Sequence, residues 1–201
     1  MVTRVLIRNP SLRYREQFIA AARRSRTFHR RWVHPPNTPK AFEAYLQRHR
    51  SPRHEGHFLV ERSTGDLVGV VNILEIVRGS FQSAYLGYYL FHPFGGLGYM
   101  TEALVLVIDR AFRELGLHRL EANVQPDNDC SVRLVKRLGF RCEGVSPRYL
   151  KVGGRWRDHA RWAVLRDEWH PAKLSANPRL QRTALRAAAE PPGRSADRWE
   201  R

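Results

Sequence analysis

The chain has 201 residues, 42% of them hydrophobic and 27% charged, which is the size and balance of one globular domain with a short extension. No apolar run approaches the roughly 18 residues that a membrane-spanning helix needs, and the N-terminus lacks the apolar stretch of a signal peptide. The two cysteines, Cys130 and Cys142, are too few for a disulfide framework and lack metal-site spacing. We therefore expect a cytoplasmic protein with reduced cysteines and no bound metal.

The positive charge is concentrated near the N-terminus. Lysine and arginine number 35 against 19 aspartates and glutamates, for a net charge of +16. Residues 1–57 carry 13 basic and 3 acidic side chains, residues 58–170 carry 15 and 13, and residues 171–201 carry 7 and 3. A local field of this sign attracts polyanions such as nucleic acid or a ribosome. The alternative is arginine enrichment from a GC-rich genome, which would give the charge no function.

In chain order, the N-terminal half predicts one strand, two helices and a three-stranded antiparallel meander. Residues 2–8 alternate like a short strand, and residues 12–26 have an apolar face at helical spacing. A proline-broken loop around Trp32 follows. Thr38 is a suitable N-cap with Pro39 at the first helical position, so a second helix begins there. The three predicted meander strands are residues 57–61, 67–75 and 81–90.

The C-terminal half alternates strands and helices after a glycine-rich loop. Gly95, Gly96 and Gly98 precede a long amphipathic helix over residues 99–115, which Gly116 ends. A short helix is predicted over residues 128–138, and strands over residues 119–124, 140–145, 149–152 and 156–165.

The chain divides into one predicted domain and a tail. Residues 2–168 hold all of the periodic segments. Residues 169–201 are rich in alanine, proline and arginine and lack a sustained apolar face. We expect this basic tail to be largely disordered.

The strand, glycine loop and helix at residues 86–112 have the composition of a phosphate-binding turn. Backbone N–H groups and the helix dipole attract an anion there, and glycines let the backbone come close to it. The loop lacks the Gly-Lys-Ser/Thr ending of a Walker loop and the spacing of a dinucleotide fingerprint. Because such a loop is often only a structural turn, this motif alone leaves both interpretations open.

A second motif narrows the choice. Asn128 is followed three residues later by Ser131, and the predicted helix that holds them ends in Leu138, Gly139 and Phe140. With the glycine loop before it, the chain resembles the GNAT superfamily of N-acetyltransferases, and within it the ribosomal-protein alanine N-acetyltransferase (RimJ/RimL) branch. The narrower resemblance rests on the segments VRGSFQSAYLGY, HRLEANVQPDN, RLGFRCEG and GGRWRDH.

The resemblance implies a fold and a co-substrate. The fold is α/β, with a mixed, centrally splayed sheet of about seven strands and helices on both faces. The co-substrate is acetyl-CoA, and no metal is involved. Pro93 stands where the family often has Arg or Gln, so the pyrophosphate would depend on backbone donors. The implied acetyl-CoA contacts are Tyr89, Leu90, Phe91, Gly95, Gly96, Leu97, Gly98, Tyr99, Asn128 and Ser131.

The resemblance also implies acetyl transfer to the N-terminal α-amine of a protein, by direct attack in a ternary complex. Ser131 would stabilise the departing thiolate, and Glu75 is a candidate base, with a surface salt bridge as its alternative role. An α-amine has a pKa of about 7.7–8.0 and is partly neutral at pH 7, so it needs less help than a lysine. Neither cysteine has a neighbouring histidine, which argues against an acyl-enzyme.

Two other functions stay open: an acetyltransferase for a small amine such as an antibiotic or polyamine, and a non-catalytic ribosome- or RNA-binding module. Cationic acceptors favour an acidic pocket, whereas residues 1–57 are strongly basic. The intact glycine loop and the Asn128–Ser131 pair favour catalysis. We therefore expect the acceptor to be a ribosomal protein that begins with Ala or Ser. The expected partner is that protein or the ribosome, with weak electrostatic contact to RNA and none to a membrane.

Overall fold

A computed structural model describes residues 3–171, and these form seven strands and five helices. The strands are β1 (Val5–Arg8), β2 (Glu55–Glu61), β3 (Leu67–Val77), β4 (Ser83–Leu90), β5 (Arg119–Val124), β6 (Arg141–Val152) and β7 (Arg155–Leu165). The helices are α1 (Arg15–Arg24), α2 (Arg26–His29), α3 (Pro39–Arg48), α4 (Tyr99–Arg113) and α5 (Asp129–Arg137). Within residues 3–171, no helix has the length and apolarity that a membrane crossing requires.

The seven strands form one mixed sheet in the order β1-β2-β3-β4-β5-β7-β6, which confirms the predicted α/β fold. All neighbours are antiparallel except β4 and β5. That parallel pair is short, because it joins only residues 83–85 to residues 119–121. Beyond Tyr85, β4 runs on to Leu90 without a partner on its β5 side. The sheet is therefore splayed at its centre, as expected, and we call the gap between β4 and β5 beyond Tyr85 the splay.

Helices cover both faces of the sheet. Successive residues of a strand point to opposite faces, so Phe58 lies in one core and Leu59 in the other. The core on the α4 and α5 side is mainly aliphatic. The core on the α1 and α3 side is aromatic, with Phe18 centred 4.9 Å from Phe42, 5.4 Å from Phe58 and 5.3 Å from Phe91. Each such pair adds about 0.5–1.5 kcal/mol beyond burial, so α1 and α3 are firmly seated.

Local signals placed most helix ends correctly. Thr38 caps α3 by accepting a hydrogen bond from the Ala41 N–H at 3.3 Å. The predicted helix over residues 12–26 is instead divided, because the buried Ser25 hydroxyl bonds the Ala21 carbonyl at 2.7 Å where α1 ends and α2 begins. Competition of this kind is characteristic of serine.

The two strands predicted over residues 140–145 and 149–152 are one strand, β6, with an irregularity. Its pairing with β7 shifts between Ser146 and Leu150. Pro147 has no N–H for the ladder, and the Arg148 N–H bonds the Asp158 carboxylate at 2.7 Å instead. At the C-terminal end, Trp169 is buried against Phe112, although composition put it in the tail. Residues 172–201 lie outside the described residues, so the disorder of the tail stays a prediction.

Candidate active site

The glycine loop presents a row of backbone N–H donors beside the splay, and we call the N–H groups of residues 95–99 the donor row. It follows β4, and Phe91 is still tied to β3 by its N–H bond to the Val68 carbonyl at 2.9 Å. Gly96 and Gly98 have φ values of 77° and 87°, which only glycine adopts without strain. Within residues 3–171, the N–H groups of residues 95–99 donate to no protein acceptor. With the N-terminus of α4 behind them, these donors suit a pyrophosphate.

Position 95 requires glycine for a second reason that the sequence did not indicate. A Cβ there would stand 2.8 Å from Cζ of Phe28, so the exposed ring of α2 lies directly on the loop. Gly95 is therefore required by packing against Phe28, in addition to any approach of a ligand.

An ion pair from the first strand region braces the loop. The Arg4 guanidinium donates to the Glu102 carboxylate, with Nε 2.8 Å from Oε1, and to the Leu97 carbonyl at 2.9 Å. It also lies 4.6 Å from the centre of the Tyr99 ring, whose hydroxyl donates to the Glu61 carboxylate. Charge-assisted bonds of this kind contribute about 1.5–3 kcal/mol each. The loop is thus held in position before any ligand arrives.

Asn128 and Ser131 are joined to each other and to β4. The Asn128 side chain caps α5 by accepting a bond from the Ser131 N–H at 3.2 Å. The Ser131 hydroxyl lies 2.9 Å from that of Tyr88, so a hydrogen bond crosses the splay. Burial raises the pKa of Tyr88 to about 12, partly offset by the bond to Ser131. Tyr88 therefore keeps its proton and can donate to Ser131, leaving the serine hydrogen free for a thiolate.

The three predicted residues at the end of β4 lie in different environments. Because Phe91 bonds to β3, the alternation of an antiparallel strand turns the N–H of Leu90 toward the splay. The Leu90 carbonyl accepts a bond from Nε2 of the buried His29 at 2.7 Å. Burial lowers the pKa of His29, which favours the neutral donor. The side chains of Tyr89 and Phe91 instead pack into the aromatic core.

Glu75 does not join the other predicted site residues. It lies in β3 just beyond Leu74, which pairs with Tyr85 at the closed end of the splay. Its carboxylate is 2.5 Å from Nη2 of Arg53 and 3.8 Å from Nε2 of His54. This is the salt-bridge environment that the sequence analysis weighed against catalysis. The role of Glu75 as a base stays a prediction.

A cavity of about 210 Å³ opens on the α3 side of β4 and borders Tyr88. Its roof is the proline-broken loop, and no carboxylate lines it within the described residues. This volume is enough to admit the end of a peptide chain. The lining residues are Val33, His34, Pro35, Pro36, Tyr45, Arg48, Asn72, Leu74, Gly87, Tyr88 and Tyr89. We call this the acceptor cavity.

A second cavity, of about 350 Å³, lies between α4 and the β1–β2 edge of the sheet. None of the predicted site residues lines it. Among residues 3–171, no three His, Cys, Asp or Glu side chains are grouped so that they could hold a metal ion.

Sequence reasoning missed the roles of Arg4 and Tyr88. It considered the proline-broken loop as a lining of the peptide slot, but through Trp32, whereas the described lining begins at Val33. Arg4 is 98 residues from Glu102, and no local pattern links them. Tyr88 was interpreted as a core residue because it lies in an aromatic strand. The available signal was the position of Tyr88 shortly after the point where β4 loses its β5 neighbour. The sequence alone does not show where β5 separates from β4.

The donor row can be tested with Gly98→Val. A side chain at φ 87° distorts the start of α4 and displaces the N–H groups, so we expect acetyl-CoA binding to be lost. Gly79→Val is the matched control, because Gly79 has φ 67° in the open β3–β4 turn, at the opposite end of β4 from the glycine loop. Calorimetric titration and circular dichroism measure binding and folding. Equal acetyl-CoA affinity in a folded Gly98→Val protein would show that the loop is not the binding site.

Comparison with known proteins agrees with this geometry. Residues 4–141 match the acetyltransferase (GNAT) domain family. Over 112 residues the chain is 44% identical to the probable N-acetyltransferase YjcK of Bacillus subtilis, covering 55% of this chain and 62% of that one. Over 108 residues it is 41% identical to the [ribosomal protein uS5]-alanine N-acetyltransferase of Escherichia coli, covering 54% and 56%. The chain thus spans about three fifths of the length of these curated relatives.

Solved structures give the same assignment. Mycobacterium smegmatis RimJ in complex with CoA-disulfide superposes with a TM-score of 0.76 at 27% identity, covering 85% of this chain and 87% of that one. The ribosomal-protein-S5-alanine acetyltransferase of Vibrio fischeri gives 0.73 at 26% identity, covering 85% and 98%. The family match, the splayed sheet and the glycine loop lead to one conclusion: the chain belongs to the GNAT acetyltransferase family.

Proposed function

We propose that this protein transfers an acetyl group from acetyl-CoA to the N-terminal α-amine of a ribosomal protein that begins with Ala or Ser. The observation that carries the proposal is the acceptor cavity, which is small, contains no carboxylate in the described lining, and borders Tyr88 at the splay. The donor row, which suits a pyrophosphate, lies on one side of the splay. The acceptor cavity, which suits the uncharged end of a peptide chain, lies on the other side.

Acetyl-CoA fits the donor row. The unpaired N–H groups of residues 95–99 offer several bonds to phosphate oxygens. Solved relatives are described in complex with CoA, as for the RimJ of Mycobacterium smegmatis. The pantetheine would extend from this loop into the splay between β4 and β5, where Asn128 and Ser131 lie.

The reaction follows from the groups around the splay. The amine nitrogen attacks the thioester carbonyl carbon, and the oxyanion that forms accepts a bond from the Leu90 N–H. The C–S bond then breaks while the C–N bond remains. The departing CoA thiolate accepts a hydrogen bond from Ser131, whose hydroxyl oxygen accepts one from Tyr88, and the thiolate then takes a proton from solvent. Both hydroxyls are placed in advance by their mutual bond at 2.9 Å.

A polyamine acceptor fits the cavity less well. Structural neighbours include a spermidine N-acetyltransferase of Vibrio cholerae, at 20% identity and a TM-score of 0.70, so the fold alone does not choose the acceptor. The lining, however, includes the cation of Arg48 and no described carboxylate. A positive charge in the lining repels a polycation more strongly than it repels a single amine. A peptide amine, with one positive charge that is easily lost, is favoured.

The exposed arginines of α2 and its surroundings support an anionic partner such as a ribosome. Arg26, Arg30 and Arg50 are exposed and make no ion pair within residues 3–171. By contrast, Arg31 is paired with Asp127. Arg30 is three residues before Val33 of the cavity lining, so unpaired cations near the roof loop would bring an N-terminus presented on RNA toward the site.

The acceptor is tested with a peptide that begins with Ala or Ser and also contains a lysine. Mass spectrometry should locate one acetyl group on the α-amine, because that amine is partly neutral at pH 7 and the lysine is not. The same peptide blocked at its N-terminus should be inert, and spermidine should be a much poorer substrate. Acetylation of the lysine in the blocked peptide, or a preference for spermidine, would contradict the proposal.

The Tyr88–Ser131 bond is tested by a double-mutant cycle. Ser131→Ala should lower kcat about 10-fold or more if the bond to the thiolate contributes ~1.4 kcal/mol, with little change in KM. Tyr88→Phe should have a similar effect, since it acts through the serine. The double variant should then lose no more than the worse single variant. Additive losses would mean that the two hydroxyls act separately.

The cationic surface is tested with Arg26→Gln/Arg30→Gln. The double variant should cosediment less with ribosomes and depend less on salt, by about 0.9 in log–log slope for each lost phosphate contact on duplex-like RNA. Arg78→Gln/Arg113→Gln removes the same charge from exposed positions near the C-terminal end of α4, away from the cavity, and should have no such effect. If both variants weaken association equally, net charge rather than this surface is responsible.

A further inference from the structure

An amine that attacks from the acceptor cavity must lose a proton, because the product amide has one N–H fewer than the amine, and a side chain in the lining can accelerate that transfer. The titratable side chains in the described lining are His34, Tyr45, Arg48, Tyr88 and Tyr89. Burial raises the pKa of all three tyrosines, that of Tyr88 to about 12, so they remain protonated. Arg48 is a permanent cation. The imidazole of His34 is the remaining group.

His34 is placed where it can exchange protons with solvent. It is an exposed residue of the roof loop and lies against the turn that joins β6 to β7. A Cβ on Gly153 would stand 2.6 Å from Nε2 of His34, so the glycine in this turn gives the imidazole its space. Gly153 also has φ 57°, which favours glycine on backbone grounds.

The nitrogens of His34 are uncommitted, unlike those of its neighbours. Nearby histidines use a ring nitrogen within the fold: His29 bonds the Leu90 carbonyl at 2.7 Å, and His49 bonds the Tyr45 carbonyl at 2.8 Å. Within residues 3–171, His34 makes no hydrogen bond or ion pair with the protein. A base must have a free lone pair, and this imidazole has one.

We propose that His34 is the general base, and this rests on the acetyl transfer proposed above. Its ring nitrogen takes the proton that the amine loses as the C–N bond forms, and the imidazolium releases that proton to solvent. Ser131, held by its bond to Tyr88, donates a hydrogen bond to the departing CoA thiolate, which takes one proton from solvent. One proton leaves through the imidazole and one is taken up by the thiolate, so the products are the amide and the CoA thiol and the protons balance.

The test compares His34→Gln and His34→Ala with the parent on the Ala- or Ser-initiated peptide. General base catalysis contributes roughly 10²–10⁴-fold, and the low end applies because the α-amine is already partly neutral. We therefore expect kcat/KM to fall about 100-fold in both variants while the affinity for CoA is unchanged. Added imidazole should restore part of the rate of His34→Ala, which the loss of a merely structural contact would not allow.

Two other variants make the result specific. His118→Gln removes an exposed histidine between α4 and β5, away from the cavity, and should leave the rate unchanged and unaffected by imidazole. Glu75→Gln tests the base predicted from the sequence. A large loss in Glu75→Gln with none in His34→Gln would overturn the proposal, as would a loss in His34→Ala that imidazole does not relieve. A parent protein that binds acetyl-CoA but acetylates no peptide would overturn the proposed acceptor, and the role of His34 with it.

Discussion

The separation of β4 from β5 after Tyr85 is the constraint on which the rest of the site depends. A strand that loses its neighbour exposes backbone groups that must find other partners, because an unpaired buried peptide group is costly. His29 takes the carbonyl of Leu90, and the N–H of the same residue is left facing the splay. An acetyl carbonyl is the natural partner for that donor. The break in the sheet is thus what turns a structural strand into a binding edge.

The two sides of the splay are fixed by different means. On the loop side, Arg4 ties β1 to α4 through Glu102 and to the glycine loop through the Leu97 carbonyl. On the cavity side, the aromatic core around Phe18 seats α1 and α3, which carry the loop that roofs the acceptor cavity. The Tyr88–Ser131 bond then connects the sides. Preorganisation of this kind places donors where charge develops and avoids the cost of reorganising them during the reaction.

Local features of the sequence were sufficient for the parts of the fold that depend on local chemistry. Thr38 capped its helix as expected, and Asn128 did the same three residues before Ser131. Contacts between distant segments could not be predicted in this way. The Phe28 ring on Gly95 and the His34 imidazole at Gly153 depend on how the layers pack, which no spacing in the chain encodes. The irregularity in β6 was interpreted as a gap between two strands because Pro147 interrupts the local pattern, whereas the pairing with β7 continues beyond it.

The most direct test of the account is a titration of ¹⁵N-labelled protein with acetyl-CoA, followed by amide chemical shifts. We expect the largest changes in amide chemical shift at Leu90 on the splay, at residues 95–99 in the donor row and at Ser131 on α5. The cavity lined by Ile7, His57 and Arg110 serves as the internal reference, because it lies away from the splay and should be unaffected. Changes confined to that cavity, with none at Leu90 or the glycine loop, would contradict the assignment of the splay as the acetyl-CoA site.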